Sequence, residues 1–159
     1  KYLSDEGAEV FICDINTKRL ESVKNNFGAS IIDNNSILDF NMDIYAPCAL
    51  GGVLNTESIG KLKCAIVCGG ANNQLENEER DSLHLKNRGI IFAPDFLVNS
   101  GGLINVYSEI KGYSKEISLE KTKEIFNTTL DILNKSKAEG ISSYIAAMNI
   151  AKERIQNNK

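Results

Sequence analysis

Three features of this chain could do chemistry: an acid at a strand end, two loops of small and amide residues, and an asparagine before a pair of glycines. The acid is Asp14, which closes the apolar run 8–14 (AEVFICD). A carboxylate at the carboxyl end of a buried strand can accept the hydroxyls of an adenine ribose. It also repels a 2′-phosphate, which points to NAD rather than NADP. The same position suits a turn or helix-capping aspartate. S-adenosylmethionine-dependent methyltransferases use such an acid too, so Asp14 alone leaves the cofactor open. Residues 46–52 (APCALGG) and 69–75 (GGANNQL) each follow a short apolar run. Small residues at a strand end let backbone approach a ligand closely, and amide side chains can hydrogen-bond a carboxamide. Either loop alone can be a tight turn, but two on one sheet edge favour a site. Residues 99–102 (NSGG) form a third loop, whose N–H groups could face a carboxylate or simply start a helix. The single histidine, His84, lies in a polar helix and reads as a surface residue. No triad, metal-binding set or paired-carboxylate arrangement stands out, so no catalytic residue and no metal site is expected in this chain.

Positioning these residues requires strands that end together. Apolar runs at 8–14, 29–32, 43–46, 63–68 and 90–93 read as strands buried on both faces. Helical spacing over 17–27, 56–62 (capped by Thr56) and 77–88 fills the intervals, with Gly28 and Gly89 as stops. Such alternation predicts a doubly wound α/β fold with a parallel, Rossmann-like sheet. After residue 98 the pattern becomes helical: 103–110, then a long amphipathic helix over 118–138 with Ile125, Leu130 and Leu133 on or near one face. Gly140 stops it. A last helix starts at Ser142 or Ser143 and packs through Ala146, Ala147, Ile150 and Ala151. Residues 1–117 read as an incomplete nucleotide-binding domain and 118–159 as C-terminal helices packing on it.

The domain is incomplete because no GxGxxG occurs. That fingerprint belongs about 20 residues before Asp14, upstream of Lys1. Residues 2–6 read like the tail of a helix stopped by Gly7, and there is no initiator Met, so the chain is expected to be part of a longer one. Without a central first strand, the isolated chain is expected to be marginally stable.

The 159 residues suffice for one ordinary domain. A net charge of -3 gives no invitation to nucleic acid or anionic membrane. No apolar run approaches the roughly 20 residues of a membrane span, and the polar start is unlike a signal peptide. Cys13, Cys48, Cys64 and Cys68 form no CxxC pair and read as free thiols, three of them buried, of a reducing cytoplasm.

Taken together, GAEVFICDIN (7–16), FGAS (27–30), DIYAPCALGG (43–52), ANNQL (71–75), GIIFAPDFLVNSGGLINV (89–106), GYS (112–114) and YIAAMNIAKERI (144–155) resemble the Glu/Leu/Phe/Val amino-acid dehydrogenase family, in its leucine dehydrogenase branch. The resemblance implies NAD-dependent oxidative deamination of a branched-chain L-amino acid to its 2-oxo acid and ammonium, in a homo-oligomer when full length. It also implies roles. Asp14 and Ile15 would meet the adenosine, and Ala49, Leu50, Gly70, Asn72 and Asn73 would line the cofactor cleft. Asn99 and Gly101 would lie beside nicotinamide and substrate, and Leu103 and Val106 would build the side-chain pocket. Both pocket residues are apolar and neither could pair with a γ-carboxylate, which disfavours glutamate. Phenylalanine is not excluded, because apolar pockets discriminate weakly by size. Ser100 replaces the alanine common in that loop. The family's substrate-activating lysines and aspartate would lie upstream. The alternative is a catalytically dead, stand-alone remnant that binds nucleotide weakly or packs on a partner.

Overall fold

The computed structural model describes residues 1–110, 112 and 114–157. Its contacts divide the chain into two units, Lys1–Phe40 and Asn41–Lys159.

The first unit contains α1 (Tyr2–Asp5), β1 (Phe11–Ile12), α2 (Thr17–Phe27) and β2 (Ser30–Ile31). Asn16 caps α2 by accepting the Arg19 N–H at 3.1 Å, and Gly28 ends it in the left-handed conformation (φ +70°) that a side chain would resist. β1 and β2 pair in parallel, Ile12 opposite Ile31. Leu20 and Ala29 are its buried apolar side chains, and the Phe11 and Phe40 rings meet at 4.7 Å.

The second unit runs β3 (Ile44–Tyr45), α3 (Thr56–Lys61), β4 (Ile66–Val67), α4 (Glu78–Asn87), β5 (Ile91–Phe92), α5 (Asp95–Val98), α6 (Gly101–Ile110), α7 (Lys115–Glu139) and α8 (Ser143–Asn157). β3, β4 and β5 form one parallel sheet in that order, with Tyr45, Val67 and Phe92 in one register row. Helices α4 and α8 pack on β5, and Leu54, Ile59, Leu62, Val67, Leu85, Ile90 and Phe92 are buried. A second core joins Ile132 of α7 to Ala146 and Ala147 of α8, flanked by Leu97, Ile141 and Ile150.

Parallel strands alternating with helices are the expected α/β pattern, and the helix stops at Gly28, Gly89 and Gly140 each adopt positive φ. Several expectations need correction. The strands are not buried on both faces: the row Ile44–Ile66–Ile91 is open, with Ile44 53% and Ile91 47% exposed. Apolar β-branched residues suit a strand whether or not its second face is covered, so the sequence pattern does not distinguish the cases. Helix α3 is capped by Asn55, not Thr56. The Asn55 amide oxygen accepts the Ser58 N–H while Ser58 Oγ accepts the Asn55 N–H, a reciprocal pair that Thr56, one residue further in, cannot make. In α7 the buried apolar residue is Ile132, whereas Leu130 is exposed, and Ala151 of α8 is exposed. Cys13, Cys64 and Cys68 are half-buried and Cys48 is exposed; all four are free.

Candidate functional site

The sheet of the second unit places two loops side by side. Tyr45 of β3 pairs with Val67 of β4 in parallel, so residues 46–52 and 69–75 leave the same edge together. Backbone bonds then lock one loop to the other. The Ala71 N–H donates to the Pro47 carbonyl at 3.0 Å, Gly52 N–H to Asn73 O at 2.8 Å, and Leu54 N–H to Gln74 O at 2.9 Å. The Gly70 N–H donates to Cys48 Sγ at 3.4 Å. Two glycines permit this approach. A Cβ on Gly69 would fall into the Pro47 backbone, and one on Gly51 would lie 2.9 Å from the carbonyl oxygens of both Asn72 and Asn73. Asn73 itself is left-handed (φ 52°), a conformation asparagine tolerates better than most residues.

A third segment closes on these two. The Asp95 carboxylate, 8% exposed on α5, accepts the Gln74 backbone N–H at 3.3 Å. One helical turn on, Asn99 Nδ2 donates to Asn72 Oδ1 at 2.5 Å and to Gly70 O at 3.5 Å. The structure therefore brings Gly70, Asn72 and Asn99 together as a hydrogen-bonded group with free capacity on its exposed side. Asn73, Ala49 and Leu50 are exposed beside them on the same two loops, Leu50 at 73%.

The ANNQL amides divide differently from the sequence expectation. Asn72 and Asn73 face solvent, but the Gln74 side chain is wholly buried. Its Nε2 donates to the Gly69 carbonyl at 2.7 Å and to the Ala71 carbonyl at 3.0 Å. It is a loop tie, unable to meet a carboxamide. Asp95 was not singled out from sequence. The signal available was its place directly after Pro94, where a carboxylate opens a helix.

Gly101 begins α6, half-buried, where a Cβ would rest 3.7 Å from the Thr122 methyl. Leu103 and Val106 lie one turn apart on α6 and are 72% and 55% exposed, so the described residues do not enclose them in a pocket. Tyr113, in the GYS segment, lies outside the described residues. His84 is half-buried on α4 rather than fully solvent-facing.

In the first unit Asp14 follows β1 by two residues. Its Oδ1 accepts the Asn16 N–H at 2.7 Å, and Asn16, not Asp14, caps α2. Asp14 is thus a turn aspartate with one oxygen engaged by its own loop. No described residue bonds the other oxygen, so the turn leaves a carboxylate oxygen available to a ligand. Asp33 repeats this arrangement after β2, accepting the Asn35 N–H at 2.7 Å. Burial, then the charges of Asp14 and Asp33, push the neighbouring Cys13 thiol up. Ile15 is 95% exposed.

Comparison with known proteins places this geometry. The chain is 43% identical to leucine dehydrogenase of Thermoactinomyces intermedius over 98% of its length, which is 42% of that protein. It is 40% identical over its whole length to L-tryptophan dehydrogenase of Nostoc punctiforme, covering 45% of it. The crystal structure of L-tryptophan dehydrogenase from Nostoc punctiforme superposes with a TM-score of 0.95 over 98% of this chain and 47% of that one, at 40% identity. The chain therefore spans less than half the length of these relatives, and its fold is that of their Rossmann-like part. Residues 7–158 match the profile of the Glutamate/Leucine/Phenylalanine/Valine dehydrogenases, and the chain belongs to that family.

Proposed function

We propose that this chain is the nucleotide-binding part of an NAD-dependent amino-acid dehydrogenase. The whole protein would oxidise a branched-chain L-amino acid with water to its 2-oxo acid and ammonium, reducing NAD⁺ to NADH and releasing a proton. The observation that carries the reading is the cross-tied Asn72–Asn99 pair at the carboxyl edge of a parallel sheet, in a member of this family. That edge is where open α/β sheets bind ligands.

The residues present fit the cofactor. The unbonded oxygen of Asp14 suits a ribose hydroxyl and disfavours a 2′-phosphate, with Ile15 exposed beside it for the adenosine. Gly51 and Gly69 keep the loops free of side chains, and Ala49, Leu50, Gly70 and Asn73 form the surface for the nicotinamide half. Asn99 donates its amide hydrogens to Asn72 and Gly70, which leaves its Oδ1 to accept from a carboxamide or substrate N–H. When bound, NAD⁺ supplies the hydride acceptor. Gly101 adds the close approach, and Leu103 and Val106 offer apolar surface that cannot satisfy a γ-carboxylate. That supports hydrophobic amino acids over glutamate, a class that includes the aromatic substrates in some relatives' names. The acid–base groups would come from sequence before Lys1. Residues 1–117 would serve the nucleotide and 118–159 would pack on them and face the catalytic domain. The working unit would be a homo-oligomer in the cytoplasm.

The test is NADH formation at alkaline pH from the chain together with the coding sequence that precedes it. Turnover with leucine, isoleucine and valine, but not glutamate, supports the proposal. Turnover confined to tryptophan or phenylalanine would overturn the branched-chain assignment. No turnover with any amino acid would favour the inactive-remnant reading.

A further inference from the structure

We infer that Gln74 is the positioning residue of the nicotinamide-facing loops, an inference that rests on the nucleotide-binding reading above. Four ties meet at this one buried residue. Its Nε2 holds the Gly69 carbonyl at 2.7 Å and the Ala71 carbonyl at 3.0 Å, which turns the 69–72 segment back on itself. Its backbone N–H is held by Asp95 at 3.3 Å, and its carbonyl accepts the Leu54 N–H at 2.9 Å. The first two bonds shape one loop, and the other two fasten that loop to the segments before and after it. Asn72 and Asn99 meet across this frame, at the ends of the two segments that Gln74 and Asp95 join.

Gln74 Oε1 is, among the described residues, the buried side-chain polar atom without a partner. An apolar side chain of similar length would remove that unpaired acceptor, but it would also take the donors from the Gly69 and Ala71 carbonyls. What only the amide supplies is the pair of N–H donors aimed at Gly69 and Ala71. Those donors fix where the carbonyls point, and so where Gly70 and Asn72 present themselves. An error of about an ångström in such a frame is enough to cost binding and rate severalfold or more.

Gln74→Met removes the donors and the unpaired acceptor together, so its effects on folding oppose one another. The expected result, in the chain with its preceding coding sequence, is a folded protein with a thermal midpoint lowered by about 5 °C and NADH binding about tenfold weaker by fluorescence titration. ADP-ribose, which lacks the nicotinamide, should bind as before. Loss of NADH and ADP-ribose binding in equal measure would mean a general structural role and overturn the inference. So would unchanged NADH binding. If Gln74→Met does not fold, Asp95→Asn exchanges the charged acceptor of the Gln74 N–H for a neutral one. NADH binding about threefold weaker, with ADP-ribose binding intact, would support the inference, and unchanged binding would overturn it. If the parent protein binds neither NADH nor ADP-ribose, the nucleotide reading fails and takes the inference with it.

Discussion

The two units hold their functional residues by different means. In the second, Gly70, Asn72 and Asn99 sit on segments fastened by backbone bonds, by glycines pressed against neighbouring carbonyls, and by the buried Gln74 and Asp95. In the first, Asp14 is held by a bond to its own loop two residues on, in a unit with a two-stranded sheet and only Leu20 and Ala29 as buried apolar side chains among its described residues. One site is made by tertiary packing and the other by local turn chemistry. Substitutions in the second unit should therefore disturb folding and binding together, while those in the first should separate them.

The largest effect should come from the cores. Leu85→Ala, at a fully buried position, should cost about 3 kcal/mol in denaturant unfolding, whereas Leu20→Ala, at a thinly covered one, should cost less than half as much. Equal losses would erase the contrast. The glycines make the same comparison at smaller scale. Gly69→Ala forces a methyl into the Pro47 backbone and should cost about 2 kcal/mol along with NADH affinity. Gly28→Ala meets only its positive φ and should cost about 1 kcal/mol with binding intact.

Charge supplies a further test. The Asp81 side chain is fully buried, and burial raises its pKa. The Arg80 guanidinium and the Asn77 N–H more than offset this, so the carboxyl titrates below its usual range. A depressed folded pKa contributes stability that is complete above the unfolded value, about 4. That stability is lost as pH falls through the lower folded value. Asp81→Asn should therefore destabilise by about 2 kcal/mol at neutral pH and flatten the acid limb below about pH 4 in urea titrations. An unchanged acid limb would show that other carboxylates dominate it. The smallest effect on stability belongs to Asp14→Ala, about 0.5 kcal/mol, yet it should weaken NADH binding at least tenfold. If stability and binding fell together there, the local-turn description of the first unit would be wrong.

The sequence carried the fold well because its signals are local. Gly28, Gly89 and Gly140 ended helices where their positive φ required glycine, and the apolar runs marked every strand. It misplaced features that depend on distant partners. Thr56 and Asn55 are both acceptable caps, and the choice fell to whichever could reciprocate with Ser58. Gln74 and Asn72 are both amides in one loop, and only their surroundings send one inward and the other out. Asp95 went unread because its partner lies 21 residues away. Asp14 shows the remaining ambiguity. Its turn role and its availability to a ribose are compatible, because they use different oxygens.

The interlock of the 46–52 and 69–75 loops also bears on how this protein opens. Surface loops usually exchange their amide hydrogens quickly, since they unfold by themselves at little free-energy cost. Here the amides of Gly52, Leu54 and Ala71 are donated across to the facing loop, and none can be released without separating segments that rest on the buried Leu54 and Leu75. Their deuterium uptake should therefore be as slow as that of the strands beneath them. The loops would then behave as part of the second unit's cooperative core, with the site disappearing only when that core melts.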